Sequence, residues 1–126
     1  AAAGPITSRC EAAMASIFTK IINGEIKGNV IFQDDRCAVL VDIQPQAPKH
    51  FLVIPKKEIP SVHEAKPEDK TLLGHLLLTA AEVARQQGFG ERGYRLVINT
   101  NQDGGQTVSH LHVHLLAGRQ MQWPPG

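Results

Sequence analysis

The chain has 126 residues, 42% of them hydrophobic and 20% charged, which suits one globular domain and is too apolar for a disordered segment. Thirteen Lys and Arg residues against twelve Asp and Glu residues leave a formal net charge of +1. This balance argues against a dedicated nucleic-acid binder, which needs clustered positive charge. No apolar run approaches the roughly 20 residues of a membrane span. We therefore expect neither a nucleic-acid nor a membrane partner.

The N-terminal segment and the two cysteines bear on the limits of the domain and on its compartment. Residues 1–13 lack the basic and apolar stretches of a secretion signal, so we interpret them as a disordered leader or a remnant of expression or processing. Residues 14–126, beginning at Met14, are predicted to form a single domain. Cys10 and Cys37 are too few for a disulfide scaffold and lack the CxxC spacing of a metal site, which favours a reducing, intracellular setting.

The first half of the domain is predicted to contain one short helix and three strands. Ser16 is a suitable N-cap for a helix over Ile17–Ile22, which an Asn-Gly pair ends. Two β-type runs, residues 30–33 and 37–42, are separated by three charged residues, as in a hairpin. After a loop that contains two prolines, residues 51–54 form the third predicted strand.

A long amphipathic helix is predicted to follow. Pro67 suits its first position, two acidic residues complement the dipole in the first turn, and Gly88 closes it. Because one face of this helix is apolar, we expect it to pack on a sheet. The residues that recur at helical spacing on this face are Leu72, Leu73, Leu76, Leu77, Ala80, Val83 and Ala84.

Two further strands complete the predicted sheet. Residues 94–99 alternate well enough to form a strand, and a polar loop over residues 100–105 leads to the last run, residues 108–116. Strands and helices do not alternate strictly, and most connections between strands are short. We therefore predict an α+β fold with a five-stranded antiparallel sheet and two helices.

Three histidines at alternate positions mark the last predicted strand. Because strand side chains alternate between faces, His110, His112 and His114 share one face, and the aliphatic residues between them share the other. The aliphatic face can then pack beneath the long helix. Clustered imidazoles suit either metal binding or nucleophilic and acid–base catalysis.

Zinc binding by all three histidines is geometrically difficult. At about 3.3 Å per residue, the Cα atoms of His110 and His114 lie roughly 13 Å apart, whereas zinc ligands must converge on one point. A neighbouring pair such as His112 and His114 could still bind zinc with a third ligand from elsewhere.

Catalysis agrees better with the loop that precedes the histidines. Residues 103–107 read Asp-Gly-Gly-Gln-Thr, and glycines allow consecutive N–H groups to form an anion-binding nest, although such a sequence is more often a simple turn. A histidine whose second nitrogen is fixed by a hydrogen bond is a competent nucleophile toward phosphorus. The combination favours a phosphoryl site.

These residues carry a resemblance to a known family. The sequence HLHVHLL at residues 110–116 matches the alternating signature of the histidine-triad superfamily. Four other segments, IFTKII at 17–22, DIQPQAP at 42–48, HFLVIPKK at 50–57 and GRQMQWPPG at 118–126, resemble its Hint branch. That branch comprises histidine-triad nucleotide-binding proteins, which are purine nucleoside phosphoramidases. The resemblance extends from Ile17 to the end of the chain.

The resemblance implies a role for each of four histidines. His112 would attack the α-phosphorus and become transiently nucleotidylated. His114 would contact the phosphate and assist departure of the amine, and His110 would orient His112. His50 would join them from the preceding strand.

The resemblance also implies a nucleotide-binding set. Asp42 would bind the ribose hydroxyls, although on the sequence alone it could equally cap a turn. Thr107 and Leu40 depart from the serine and the aromatic residue expected there, which affects rate and base preference. The purine slot would comprise Ile17, Phe18, Ile21, Leu40 and Ile43, which could also be plain core. Contacts to the phosphate or leaving group would come from Asn99, Gly105, Gln106 and Thr107.

The implied activity is hydrolysis of the P–N bond of adenosine and guanosine 5′-phosphoramidates through a nucleotidyl-histidine, with no cofactor and no metal. The implied partners are a purine nucleotide and a second copy of the chain, in a homodimer with a continuous ten-stranded sheet. The C-terminal tail would reach toward the partner's site. The implied location is the cytoplasm, extending to the nucleus in a eukaryote. Two alternatives stay open: a dinucleoside polyphosphate hydrolase, and a non-catalytic nucleotide- or zinc-binding regulatory module.

Overall fold

The computed structural model describes residues 15–126, so the predictions for residues 1–13 and for Met14 lie outside the described residues. The first helix, α1, spans Ile17–Ile22 as predicted. Ser16 is its N-cap, and the Ser16 hydroxyl accepts a hydrogen bond from the Thr19 N–H at 3.1 Å. Gly24, at φ +82°, provides the left-handed conformation that turns the chain away from the helix.

Five strands form one antiparallel sheet, which confirms the predicted α+β class. They are β1 (Val30–Gln33), β2 (Cys37–Val41), β3 (Lys49–Pro55), β4 (Arg95–Val97) and β5 (Val113–Ala117). Their order across the sheet is β1-β2-β3-β5-β4, and every neighbouring pair is antiparallel. Strand β3 is therefore central and carries side chains to both faces.

The long helix covers one face of the sheet. A 3-10 turn at Pro67–Asp69 precedes it, and α2 spans Lys70–Gln86. Pro67 therefore opens a 3-10 turn rather than the α-helix itself. Leu77 was predicted to be buried but is 41% exposed, because it lies at the flank of the stripe that meets the sheet. Among the described residues, no helix combines the length and apolarity that crossing a membrane requires.

The two faces of the sheet support separate apolar clusters. The larger one lies under α2, where buried Leu76 and Val83 pack in one cluster with Val53 and Val113 of the sheet. The smaller one lies under α1 and comprises Phe18, Leu40, Leu52 and Ile54. All three histidines of the motif lie on the α1 side, where the rings of His110 and His112 pack near Phe18 and the ring of His114 packs against that of His112.

The last strand is shorter than predicted. Residues 108–116 were expected to be one strand, but β5 begins only at Val113. Its neighbour β3 ends at Pro55, and the Leu111 N–H instead donates to the Ile59 carbonyl at 2.7 Å, in the loop beyond β3. Leu111 still joins the cluster under α2, so the predicted alternation of faces holds. The strand predicted over 94–99 likewise contracts to β4.

Candidate active site

A cavity of about 510 Å³ opens between α1, the β2–β3 connection and the segment that leads into β5. It contains most of the residues that the sequence singled out. Neither His110 nor Gln106 lines it. The predicted residues that do line it are Ile17, Phe18, Ile21, Leu40, Asp42, Ile43, His50, Asn99, Gly105, Thr107, His112 and His114.

His112 is held in a single tautomer. Its Nδ1 lies 2.8 Å from the carbonyl oxygen of His110, and since a carbonyl only accepts, Nδ1 must carry the proton. The ring packs edge-on against Phe18 at a centroid distance of 5.0 Å. No hydrogen bond from the described residues engages Nε2, so its lone pair is available on the ring that lines the cavity. This is the arrangement that a nucleophilic imidazole requires.

Beside His112, His50 and His114 form a hydrogen-bonded pair in which the direction of donation is fixed. The backbone N–H of Gln46 donates to His50 Nδ1 at 3.0 Å, so the proton of neutral His50 lies on Nε2. His50 Nε2 lies 2.9 Å from His114 Nδ1 and 3.3 Å from a carboxylate oxygen of Asp42. Donation to His114 Nδ1 leaves the proton of His114 on Nε2, where it can serve a ligand.

Burial keeps this pair neutral. Desolvation lowers the pKa of His114 to about 4, and repulsion from His112 and His50 adds to it against the attraction of Asp42. Desolvation also lowers the pKa of His50 below its usual value, although Asp42 opposes the shift. At neutral pH both rings therefore act as uncharged hydrogen-bonding groups.

His110 supports the site from behind. The ring is fully buried, and desolvation lowers its pKa. Its Nε2–H donates to the Pro55 carbonyl at 2.7 Å, and its Nδ1 accepts from the Ser16 hydroxyl. His110 therefore links α1 to the end of β3, while its carbonyl oxygen holds His112.

Asp42 and the apolar residues differ in exposure. One Asp42 oxygen accepts from the Gln44 N–H at 2.8 Å, so the turn-capping alternative describes a contact that is present. The other oxygen faces His50. Phe18 and Leu40 are buried, which agrees with a core role, whereas Ile43 is 89% exposed and lies at the rim of the cavity. A large exposed aliphatic side chain beside a cavity is suited to a flat apolar ligand.

The loop before β5 brings Gly105 and Thr107 to the cavity but turns the Gln106 side chain elsewhere. The Gln106 amide nitrogen donates to the carbonyls of Pro60 and Val108, and its oxygen accepts from the Asn101 N–H. The amide of Gln106 is thus engaged by backbone groups, and a contact from Gln106 to the phosphate or leaving group stays a prediction. Gly105, at φ +78°, has the left-handed conformation expected of the glycine pair.

Two groups that position the histidines were missed from the sequence. The Gln46 N–H sets the tautomer of His50, and the Ser16 hydroxyl fixes the ring of His110. Ser16 carried a signal, but only as a helix cap. A backbone N–H carries no residue-specific signal at all.

The same cluster contains donors for a cation. One ligand atom each from Asp42, His50 and His114 lies within 4.8 Å of the others. A metal here would have to replace the proton that His50 shares with its two neighbours. The hydrogen-bonded arrangement already satisfies these groups.

Comparison with known proteins establishes the family to which this fold and histidine cluster belong. The family model described as the HIT domain matches residues 23–121. An uncharacterized HIT-like protein of Synechococcus elongatus is 55% identical over 111 residues, which cover 88% of this chain and 96% of that protein. The chain belongs to the HIT domain family.

Solved structures agree with this assignment. A HIT family hydrolase from Legionella pneumophila superimposes with a TM-score of 0.86 at 48% identity, covering 89% of this chain and all of that one. A histidine triad nucleotide-binding protein from Candida albicans gives a TM-score of 0.74 at 30% identity, covering 87% of this chain and 83% of that one. The fold is therefore shared with a HIT hydrolase and with a nucleotide-binding protein of the family.

Proposed function

We propose that this protein is a hydrolase of the Hint branch that cleaves the P–N bond of purine nucleoside 5′-phosphoramidates. The observation that carries the proposal is the fixed tautomer of His112, whose Nδ1–H is held by the His110 carbonyl at 2.8 Å. The similarity to a HIT family hydrolase and to a nucleotide-binding protein supports the same class of activity. His112 is the nucleophile.

In the first step, His112 Nε2 forms a bond to the α-phosphorus and the P–N bond breaks. The departing amine takes up a proton. Because a pKa of about 4 leaves little imidazolium at position 114 at neutral pH, we assign that proton to solvent. His114 donates its Nε2–H to a phosphoryl oxygen, where negative charge accumulates.

In the second step, water attacks the phosphorus of the nucleotidyl-histidine. The P–Nε2 bond breaks, a nucleoside monophosphate forms, and one proton returns to solvent. His112 Nδ1 remains protonated throughout, bound to the His110 carbonyl. The two steps together consume one water and release one amine, with no net change in the enzyme.

The nucleoside part of the substrate is assigned to the apolar end of the cavity. Phe18 and Leu40 form its buried floor, and Ile17 and Ile43 form its exposed rim. A purine provides the flat apolar faces that such a slot can cover. Asp42 keeps acceptor capacity on its oxygen near His50, which suits the ribose hydroxyls.

The functional unit is proposed to be a homodimer in the cytoplasm, joined through β4 into a ten-stranded sheet. Strand β4 is at the edge of the sheet, next to a groove of about 720 Å³ between Tyr94 and Met121. Trp123 is 82% exposed, which is unusual for a tryptophan unless a partner surface covers it. Light scattering of the purified chain should give twice the 13.7 kDa protomer mass.

The test is hydrolysis of adenosine 5′-phosphoramidate by the wild type and by His112→Ala, without added metal and with a chelator present. We expect turnover by the wild type, with a loss of at least a thousandfold in the variant while AMP binding persists. Release of AMP from a dinucleoside polyphosphate but not from the phosphoramidate would support the polyphosphate hydrolase instead. Nucleotide binding without any turnover by the folded dimer would contradict the proposal.

A further inference from the structure

A second cluster of potential ligands lies on the opposite side of the sheet from the hydrolytic cavity. It combines Asp34 in the β1–β2 turn, Cys37 at the start of β2 and His75 in α2. One carboxylate oxygen, the sulfur atom and one ring nitrogen all lie within 4.8 Å of one another. None of these three residues takes part in the proposed hydrolysis.

Asp34 is held in place by the backbone around it. One of its oxygens accepts from the N–H groups of Arg36 at 2.8 Å and Cys37 at 2.7 Å, and the other lies 2.7 Å from His75 Nε2. Burial raises the pKa of Asp34, but these hydrogen bonds outweigh it and lower the pKa to about 2. The carboxylate is therefore ionised and already aimed at the imidazole.

Cys37 is the buried member of the group. Its side chain is fully inaccessible and contacts the Thr79 hydroxyl at 3.8 Å. Burial raises the pKa of the thiol to about 11, so the free sulfur is protonated and unreactive at neutral pH. The surroundings therefore do not make Cys37 a nucleophile, but a cation can replace the thiol proton.

We propose that Asp34, Cys37 and His75 form a binding site for one divalent transition-metal cation of the zinc class. Zinc bonds of about 2.0–2.3 Å place neighbouring ligand atoms roughly 3.5 Å apart. The 2.7 Å contact between Asp34 and His75 must therefore open slightly, and the Cys37 sulfur, which lies within 4.8 Å of both ligand atoms, must approach by at most about 1.3 Å. Thiolate and imidazole ligands select zinc or cobalt over magnesium and calcium, which prefer oxygen. One carboxylate and one thiolate neutralise the charge of the dication.

The surroundings leave a route into the site. The side chains of Asp34 and His75 are about one-quarter exposed, and a groove of about 250 Å³ runs along α2 past His75 and Thr79. On binding, the thiol proton is released to solvent. The proton on His75 Nε2 moves to Nδ1, so that Nε2 can bind the metal. The bound cation would tie α2 to the β1–β2 turn.

The experiment is a titration of the full chain with Co²⁺, followed by displacement with Zn²⁺. A cobalt–thiolate charge-transfer band reports a cysteine ligand specifically, which distinguishes this site from the histidines of the cavity. Cys10 lies outside the described residues, so the titration is done in a Cys10→Ser background. We expect one equivalent of Co²⁺ and an intense thiolate band that Zn²⁺ abolishes.

Variants assign the ligands. Cys37→Ser should remove the thiolate band, and His75→Gln and Asp34→Asn should each weaken Co²⁺ binding at least tenfold. His63→Gln, a change at an exposed histidine elsewhere, is the matched control and should leave the titration unchanged. Because Cys37 is buried, the two more exposed variants keep the test valid if Cys37→Ser does not fold.

Three results would overturn the proposal. They are the absence of a thiolate band in the folded Cys10→Ser protein, a band that survives Cys37→Ser, and binding that His75→Gln and Asp34→Asn leave unchanged. Zinc should also raise the melting temperature of the wild type more than that of His75→Gln. Since His112 is on the other side of the sheet, metal binding and phosphoramidase activity can fail independently.

Discussion

The Ser16 hydroxyl performs two tasks at once, and its removal tests both. It accepts from the Thr19 N–H at 3.1 Å as the N-cap of α1, and it donates to Nδ1 of fully buried His110. In Ser16→Ala the helix loses its cap, which costs about 1 kcal/mol. The imidazole nitrogen is also left without a partner where the ring is inaccessible, which costs about 1–3 kcal/mol.

The two losses together predict that Ser16→Ala lowers the free energy of unfolding by about 2–4 kcal/mol. Glu58 offers no replacement at neutral pH, because its oxygen is 3.9 Å from Nδ1 and is itself only an acceptor. Binding it would require protonated His110, and burial lowers the pKa of that ring.

Urea denaturation monitored by circular dichroism measures this change in the free energy of unfolding. Ser16→Thr is the matched control because it keeps the hydroxyl. Ser16→Thr should remain within about 1 kcal/mol of the wild type. If Ser16→Ala also stays within that margin, the hydroxyl does not sustain the buried imidazole and the reasoning is wrong. The same variant should lower kcat more than Ser16→Thr does, because the His110 carbonyl positions His112.

Three further predictions follow from the packing and the titrating groups. Since the folded-state pKa of His114 is about 4, against about 6.5 when unfolded, the unfolded chain binds more protons between these values. Stability should therefore fall from pH 6.5 to pH 4, less steeply in His114→Gln, as denaturation at several pH values would show. Leu76→Ala should lower the free energy of unfolding by about 2–5 kcal/mol because Leu76 is 1% exposed, whereas Leu77→Ala should lower it by under about 1 kcal/mol. Urea denaturation measures both variants, and equal losses would contradict the packing. Gln106→Ala should raise KM for the phosphoramidate, because the amide contacts that hold the loop carrying Gly105 and Thr107 are lost. Gln102→Ala, at the exposed turn of the same loop, should leave KM unchanged, and steady-state kinetics compares the two variants.

Elements with local signals were predicted to within a residue or two. The helix α1 follows from its Ser cap and Asn-Gly end, and β1 and β2 follow from two apolar runs around a charged turn. The late start of β5, at Val113 instead of residue 108, has no such local signal. It depends on β3 ending at Pro55 and on the Ile59 carbonyl, which takes the Leu111 N–H. Sequence periodicity describes a strand's faces but not the length of its neighbour.

In the candidate site too, features with a local sequence signal were predictable and those that depend on the surrounding structure were not. Alternation along residues 110–114 predicted which side chains share a face, and the resemblance to the Hint branch implied the fourth histidine, His50. The ring partners were not predictable. The Pro55 carbonyl and the Ser16 hydroxyl come from distant segments, and the Gln46 N–H, four residues from His50, is a backbone group that residue type does not mark. These partners decide which nitrogen of each ring carries a proton. Chemical competence therefore depends on tertiary contacts that residue type alone does not encode.

The two faces of the sheet each bring a carboxylate to an imidazole, yet they are suited to different chemistry. In the cavity, backbone groups fix the tautomers, since the His112 Nδ1–H binds a carbonyl and His50 Nδ1 accepts an N–H. A ring with one nitrogen fixed in this way presents the other in a known protonation state, as nucleophilic attack demands. His75 has only the Asp34 carboxylate as a hydrogen-bond partner among the described residues, so its tautomer can change when a cation arrives. The backbone partners of the imidazoles, more than the carboxylates, separate the hydrolytic side of this sheet from the proposed metal-binding side.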